Sequence, residues 1–235
     1  MSEPVPSVLI VDDEPQILRF LSPALTAGGY AVSTAGAGKA ALDLIAADPP
    51  DAVILDLGLP DIDGKEVIAR VREFSNVPII VLSARDLEAE KIAALDLGAD
   101  DFVNKPVGVG ELLARLRATL RARQRLTAGA SKVTAGDVEL DFAARRVFLQ
   151  GEEVKLSPRE YALLRTLAAH VGGVVTHKQV IAAVWGADSE VDAQFVRVLV
   201  AQLRSKLEAE PSAPRYVLTE PGVGYRLAPD ERAGR

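Results

Sequence analysis

Apolar positions in the first half of the chain gather into short, nearly continuous runs at residues 8–11, 31–33, 52–55, 79–82 and 102–103. Four are substantial and the fifth is short. A strand with one wet face alternates apolar and polar residues, whereas a continuous run marks a strand covered on both faces, as in a parallel sheet. Amphipathic stretches separate the runs. One opens with Pro15 at a first helical position and stops at Gly28-Gly29, another places Ile92, Leu95 and Leu97 before Gly98, and a third carries Leu112, Leu113, Leu116 and Leu120. Five such β–α repeats predict one doubly wound α/β domain over residues 1–123.

The pattern lapses over residues 124–131, which read as a linker, and a different one occupies 132–235. Val138, Leu140, Val147, Leu149, Val154 and Leu156 alternate on either side of Gln150-Gly151-Glu152, as in antiparallel hairpins. Ser157-Pro158-Arg159-Glu160 has the form of a helix start, with Ser as cap, Pro first and Glu three residues on. That helix runs to His170, a shorter one covers about 177–184, and a long one covers about 191–209. A last strand pair surrounds the Pro221–Gly224 turn. Three helices flanked by small antiparallel sheets predict a second, α+β core.

Composition narrows the chemistry. The 235 residues are 49% hydrophobic and 26% charged, an ordinary globular balance. No apolar run approaches the roughly 18 residues of a membrane helix. The first seven residues lack a basic then apolar leader pattern, so a cytoplasmic protein without a membrane partner is expected. There are no cysteines and only two histidines, His170 and His177, which argues against disulfides and against thiolate or histidine-rich metal sites. Charge is uneven: residues 1–123 hold 19 Asp+Glu against 12 Lys+Arg, and residues 124–235 hold 14 against 15. Two domains with different partners fit that split.

In parallel α/β sheets ligands sit beyond the carboxyl ends of the strands, where strand order reverses. Here the first strand ends in Asp12-Asp13, the third in Asp56 and the fourth in Ser83, and Lys105-Pro106 follows the fifth. If the first and third strands are neighbours, three carboxylates converge. Their repulsion calls for a hard divalent cation, and Mg²⁺ suits carboxylates combined with phosphate oxygens. One carboxylate is then free to attack phosphorus, Lys105 can clamp the phosphoryl group, and Ser83 can donate to its oxygens. A lone aspartate at a strand end is usually a turn former; this set, on four strands, is not explained that way. The acidic first turn, without G-x-G-x-x-G, argues against a dinucleotide site.

Leu9-Ile10-Val11-Asp12-Asp13-Glu14, the stretch Leu55-Asp56-Leu57-Gly58-Leu59-Pro60-Asp61-Ile62-Asp63-Gly64, Leu82-Ser83-Ala84, and Gly98-Ala99-Asp100-Asp101-Phe102 through Lys105-Pro106 resemble the motifs of bacterial response-regulator receivers. The resemblance implies a flavodoxin-like sheet of order 2-1-3-4-5 and phosphorylation of Asp56 by a sensor histidine kinase. It implies Mg²⁺ held by Asp12, Asp13, Asp56 and the Gly58 carbonyl, a switch through Ser83 and Phe102, and a phosphate contact from Lys105. Val107 departs from the Phe that most relatives carry there.

The resemblance continues through Leu156-Ser157-Pro158-Arg159-Glu160-Tyr161-Ala162-Leu163-Leu164, Val184-Trp185-Gly186 and Gly222-Val223-Gly224-Tyr225-Arg226, which are similar to the OmpR/PhoB winged-helix class, while the stretches Arg85–Leu97 and Pro214–Leu227 are most similar to its potassium-responsive KdpE branch. It implies a transcription factor for potassium-transport genes that binds paired half-sites of double-stranded DNA. On the long helix, Gln194, Arg197, Val198, Gln202, Arg204 and Lys206 are the expected contacts, since Arg and Gln can read base edges and Lys or Arg can hold phosphates. Gly222, Tyr225 and Arg226 belong to the expected wing. The commoner meaning of such a helix is a solvated charged face. Pro221 stands where many relatives carry Arg, which removes a contact. The resemblance also implies a phosphorylation-dependent homodimer through helix 4, strand 5 and helix 5, with Lys91–Glu111, Asp101–Arg115 and Asp96–Arg117 as cross-dimer pairs; ordinary in-chain pairing is the alternative. Beyond its own phosphoryl transfer no enzyme is expected, since Gly58 replaces the second Asp that haloacid-dehalogenase enzymes need. A regulator that binds DNA without phosphorylation, using the first domain only to dimerise, stays open at this point.

Overall fold

A computed structural model describes residues 5–84, 87–127 and 132–229. The chain divides into two compact units, Met1–Leu120 and Arg121–Arg235, each with its own core.

In the first, the order is β1 (Ser7–Val11), α1 (Pro15–Ala27), β2 (Ala31–Ala35), α2 (Gly38–Ala47), β3 (Ala52–Leu55), α3 (Gly64–Phe74), β4 (Ile79–Ser83), α4 (Glu88–Asp96), β5 (Asp101–Asn104) and α5 (Val109–Thr127). The five strands are parallel in the order β2-β1-β3-β4-β5. Strand side chains alternate between faces. Val8, Ile10, Ile54, Ile80 and Leu82 pack with Leu21 and Leu25 of α1 and Leu112 and Leu116 of α5. The intervening Leu9, Val53, Leu55, Ile79 and Val81 are equally buried. Both faces are covered, so the runs are continuous. The edge strand β2 is wetter, with Ser33 and Thr34 exposed.

The second unit holds a four-stranded antiparallel sheet of β6 (Lys132–Ala135), β7 (Val138–Asp141), β8 (Arg146–Leu149) and β9 (Glu152–Glu153). Helices α6 (Pro158–Ala169), α7 (His177–Trp185) and α8 (Ala193–Leu207) follow, with a three-stranded sheet in the order β10 (Val175–Thr176), β12 (Gly224–Leu227), β11 (Val217–Glu220). Leu163, Leu164, Leu167, Val180, Val196, Leu199, Leu203 and Leu227 meet in one core. A Cβ on Gly224 would lie 2.0 Å from the Val175 carbonyl oxygen, so only glycine lets β12 approach β10 so closely. Both α6 and α7 open with capping boxes, Ser157 with Glu160 and Thr176 with Gln179. Ser157→Ala is expected to lower the stability of this unit by about 1 kcal/mol, read from denaturant unfolding.

The expected linker at 124–131 begins too early. Helix α5 continues to Thr127, because residues 121–126 are good helix formers without Gly or Pro; residues 128–131 lie outside the described residues. So do Arg85 and Asp86, and α4 begins at Glu88 behind the extended Leu87. Helix α8 is shorter than 191–209, since the Asp192 side chain caps it by accepting from the Gln194 N–H and Glu208 is extended. The sequence reading did not anticipate β6 and β10.

Candidate functional site

The sheet order makes β1 and β3 neighbours, and the Asp56 N–H donates to the Val11 carbonyl at 2.8 Å. Asp12, Asp13 and Asp56 therefore converge, each with a carboxylate oxygen within 4.8 Å of the others. Asp12 and Asp56 are buried and Asp13 is exposed. The β5 end joins them, since the Lys105 N–H donates to the Ser83 carbonyl at 2.8 Å. The Lys105 Nζ lies 2.7 Å from Asp12 Oδ2, 3.3 Å from Asp56 Oδ1 and 3.4 Å from Glu14 Oε1. The Glu14 N–H donates to Asp12 Oδ1 at 2.9 Å, and the Gly58 N–H donates to Asp56 Oδ2 at 3.0 Å.

Burial raises the Asp12 pKa above its usual value, and the Lys105 hydrogen bond only partly opposes this. Burial alone would lower Lys105, but its hydrogen bond to Asp12 and the charge of Asp56 outweigh that and raise it. The lysine is thus held charged against the carboxylates. Three oxygen donors with one ammonium make a cluster compatible with a hard metal ion. Gly64 sets the wall: its Cβ would come within 2.5 Å of the Asp56 carbonyl oxygen, so α3 can start against the β3 exit only from glycine. The Asp61 carboxylate accepts the Gly38 and Lys39 N–H groups at 2.8 and 2.9 Å, tying this loop to the start of α2. Sequence reading gave Asp61 no role, because its partners lie 22–23 residues away.

Ser83 is 1% exposed at the end of β4 and Phe102 is 3% exposed, so the aromatic ring already sits inward here. Arg115 lies 2.8 Å from Asp101 and 2.9 Å from Glu111 of its own chain. Asp101 is 1% exposed, so that pair is built into the unit. Lys91 and Asp96 are half-buried, and Glu111 and Arg117 are exposed. Lys65 and Glu90 form a further pair at 2.9 Å between α3 and α4, and Arg72 donates to the Gly98, Ser75 and Val77 carbonyls and to Asp100; neither was anticipated.

In the second unit Gln194, Arg197, Val198 and Gln202 are exposed on α8. Arg204 and Lys206 are committed within the unit. Arg204 donates to the Val217 carbonyl and Thr219 Oγ1, while Lys206 bonds Glu160 at 2.7 Å and the Lys155 carbonyl at 3.1 Å. Tyr225, expected on the wing surface, is 4% exposed and packs edge-on against His177, so it is a core residue. Burial, aided by the nearby Arg197 charge, lowers the His177 pKa. His170 is exposed at the end of α6. Arg226 pairs with Glu220 at 3.2 Å across the hairpin, and Gly222 sits at its turn. Phe195, exposed beside Val198, was missed; its place off the buried stripe of Val196, Leu199, Val200 and Leu203 was the available signal.

Residues 8–117 match the family described as response regulator receiver domain, and residues 151–227 match transcriptional regulatory protein, C terminal. The chain is 47% identical over 221 residues to the KDP operon transcriptional regulatory protein KdpE of Escherichia coli K12, covering 94% of this chain and 98% of that one. It is also 47% identical over 224 residues to the transcriptional regulatory protein KdpE of Mycobacterium tuberculosis H37Rv, with the same coverage. Among solved structures, a RitR mutant aligns over 95% of this chain and 99% of its own at 26% identity with a TM-score of 0.51. No described helix is long and apolar enough to cross a membrane.

Proposed function

Because the chain belongs to the response regulators that join a receiver domain to a C-terminal transcriptional-regulatory domain, we propose that it takes a phosphoryl group on Asp56 from a sensor histidine kinase and, so modified, dimerises and regulates transcription from paired DNA half-sites. The observation that carries this reading is the meeting of Asp12, Asp13 and Asp56 with Lys105 beyond the strand ends. The relatives named KdpE, one of them for the KDP operon, together with the sequence resemblance, make potassium-transport genes the target class.

An Asp56 carboxylate oxygen forms the new O–P bond as the P–N bond of a phosphohistidine breaks, its electron pair leaving on the imidazole nitrogen. Lys105 supplies fixed positive charge beside the transferring oxygens. The donor set fits Mg²⁺, held by Asp12, Asp13, Asp56 and the Gly58 carbonyl, and the ion would neutralise phosphoryl charge. The Ser83 hydroxyl donates to the phosphoryl oxygens and Phe102 stays packed inward, favouring one of two arrangements of α4, β5 and α5. Dimerisation through that face gives two DNA-binding domains avidity. Lys91, Asp96, Glu111 and Arg117 set its register, whereas Asp101 with Arg115 acts within each chain. The protein works in the cytoplasm, without a membrane partner.

The test is intact mass after incubation with a small acyl phosphate, with and without Mg²⁺. A metal-dependent gain of one phosphoryl group supports the reading. No gain, where a control receiver is modified, favours a phosphate-independent regulator. Mg²⁺ at about ten times its dissociation constant is expected to stabilise the receiver by about 1.4 kcal/mol; Asp13→Asn should abolish that gain in a thermal melt. Arg117→Glu should still accept phosphate yet dimerise about tenfold more weakly by light scattering, since two symmetric pairs of up to about 1 kcal/mol are lost.

A further inference from the structure

We infer that Phe195 and Val198 form an apolar reading surface on α8 that accepts thymine 5-methyl groups in the DNA major groove, an inference that rests on the DNA-binding function proposed above. Among the described residues of the second unit, these are the large hydrophobics left exposed, at 62% and 52%. Single exposed apolar residues are ordinary; two of them three residues apart on one helix are neighbours on its surface.

At about 100° per residue, Val198 lies roughly opposite the buried Val196, Leu203 and Leu207. It is therefore the centre of the outward face. Gln194 and Gln202 lie about 40° to either side of it and Phe195 about 60° away. Arg197 stands on one flank and is exposed. Arg204, farther round that flank, and Lys206, on the other, are bonded inside the unit. The outward face thus presents an apolar centre bordered by glutamines, with an arginine at its edge.

That composition selects a ligand. Glutamine side chains can pair with adenine N6 and N7, and the thymine methyl is the apolar group on the base edges of the major groove. Phosphates offer nothing to a phenyl ring or a valine. Phe195 and Val198 also fall in the first two turns of α8, the part of a recognition helix that reaches base edges. A·T pairs therefore satisfy both halves of the face, with adenine meeting glutamine and thymine meeting the apolar pair.

The experiment uses the full chain, phosphorylated with the acyl phosphate and Mg²⁺. A random duplex library is selected by mobility shift, and each thymine of the enriched half-site is then replaced by deoxyuridine, which removes the methyl alone. Wild-type binding should weaken about three- to tenfold at one or two thymines per half-site. Phe195→Ala and Val198→Ala should each erase the penalty at one of those positions while leaving the melting temperature unchanged. A deoxyuridine duplex bound as tightly as its parent at every position overturns the inference, as does a penalty that persists in both variants. Variants that self-associate less than wild type and bind both duplexes alike would assign the patch to a second copy of this chain instead. Failure to enrich any duplex from a protein shown to be phosphorylated overturns the DNA-binding reading as well.

Discussion

Asp56→Asn is expected to abolish phosphoryl uptake, leaving the intact mass unchanged after incubation with acyl phosphate and Mg²⁺. The amide matches the carboxylate in shape and its oxygen can still accept the Gly58 N–H, which donates at 3.0 Å to Asp56 Oδ2 in the wild type. What it lacks is a nucleophilic oxygen, and neutral amides do not form the acyl phosphate link. The loss should be complete rather than graded. Lys105→Ala, by contrast, removes charge stabilisation and should slow uptake without preventing it. The fold should survive both changes. Asp56→Asn removes one of three mutually repelling carboxylates, so the receiver is expected to gain up to about 1 kcal/mol in the absence of metal. A stable Asp56→Asn protein that still gains a phosphoryl mass would move the acceptor elsewhere, and peptide mapping would then decide between Asp12 and Asp13.

Much of this site was legible because its residues sit next to strand ends. A continuous apolar run such as Ala52–Leu55 locates a strand, and the next residue, Asp56, is placed by chain connectivity alone. Parallel topology then brings such ends together without any knowledge of side-chain contacts. Partner choice was not legible in the same way. The sequence offered Asp101 and Arg115 as a pair across a dimer, but β5 and α5 of one chain already bring them within 2.8 Å. Nothing in their spacing separates the two arrangements, because the same two elements make both. Tyr225 is different. In β12 it alternates with Arg226 and shares a face with Leu227, which is 0% exposed, so period-two reading alone would have put it in the core. Arg204 and Lys206 look free on a helical wheel and are captured by β11 and by Glu160, partners the helix does not encode. The two-residue β10 is too short for any periodicity to show.

Glu208→Ala should destabilise the second unit by about 3–5 kcal/mol. Glu208 ends α8 and is 8% exposed. Its Oε2 accepts the Arg215 N–H at 2.8 Å, and its Oε1 accepts those of Tyr216 and Val217 at 2.9 and 2.8 Å. Alanine would leave three backbone donors at the start of β11 without their acceptor, two of them buried. Glutamine separates charge from hydrogen bonding. With its carbonyl placed as Oε1 it keeps Tyr216 and Val217, but its amide cannot accept from Arg215, so about 1–2 kcal/mol should be lost. Denaturant unfolding should therefore rank wild type above Glu208→Gln, and that above Glu208→Ala. The consequence reaches the face proposed to bind DNA. Arg204 on the same helix donates to the Val217 carbonyl while Glu208 accepts the Val217 N–H, so both polar groups of one β11 residue are held by α8. The wing hairpin is thereby fixed to the helix that carries Phe195 and Val198. Under conditions where Glu208→Ala remains folded, its DNA affinity should fall further than Arg204→Ala alone produces, since Arg204 leaves the Glu208 bonds intact. Two glutamate variants within about 0.5 kcal/mol of wild type would mean that water replaces the carboxylate, and that the helix and the wing are held together by the apolar core instead.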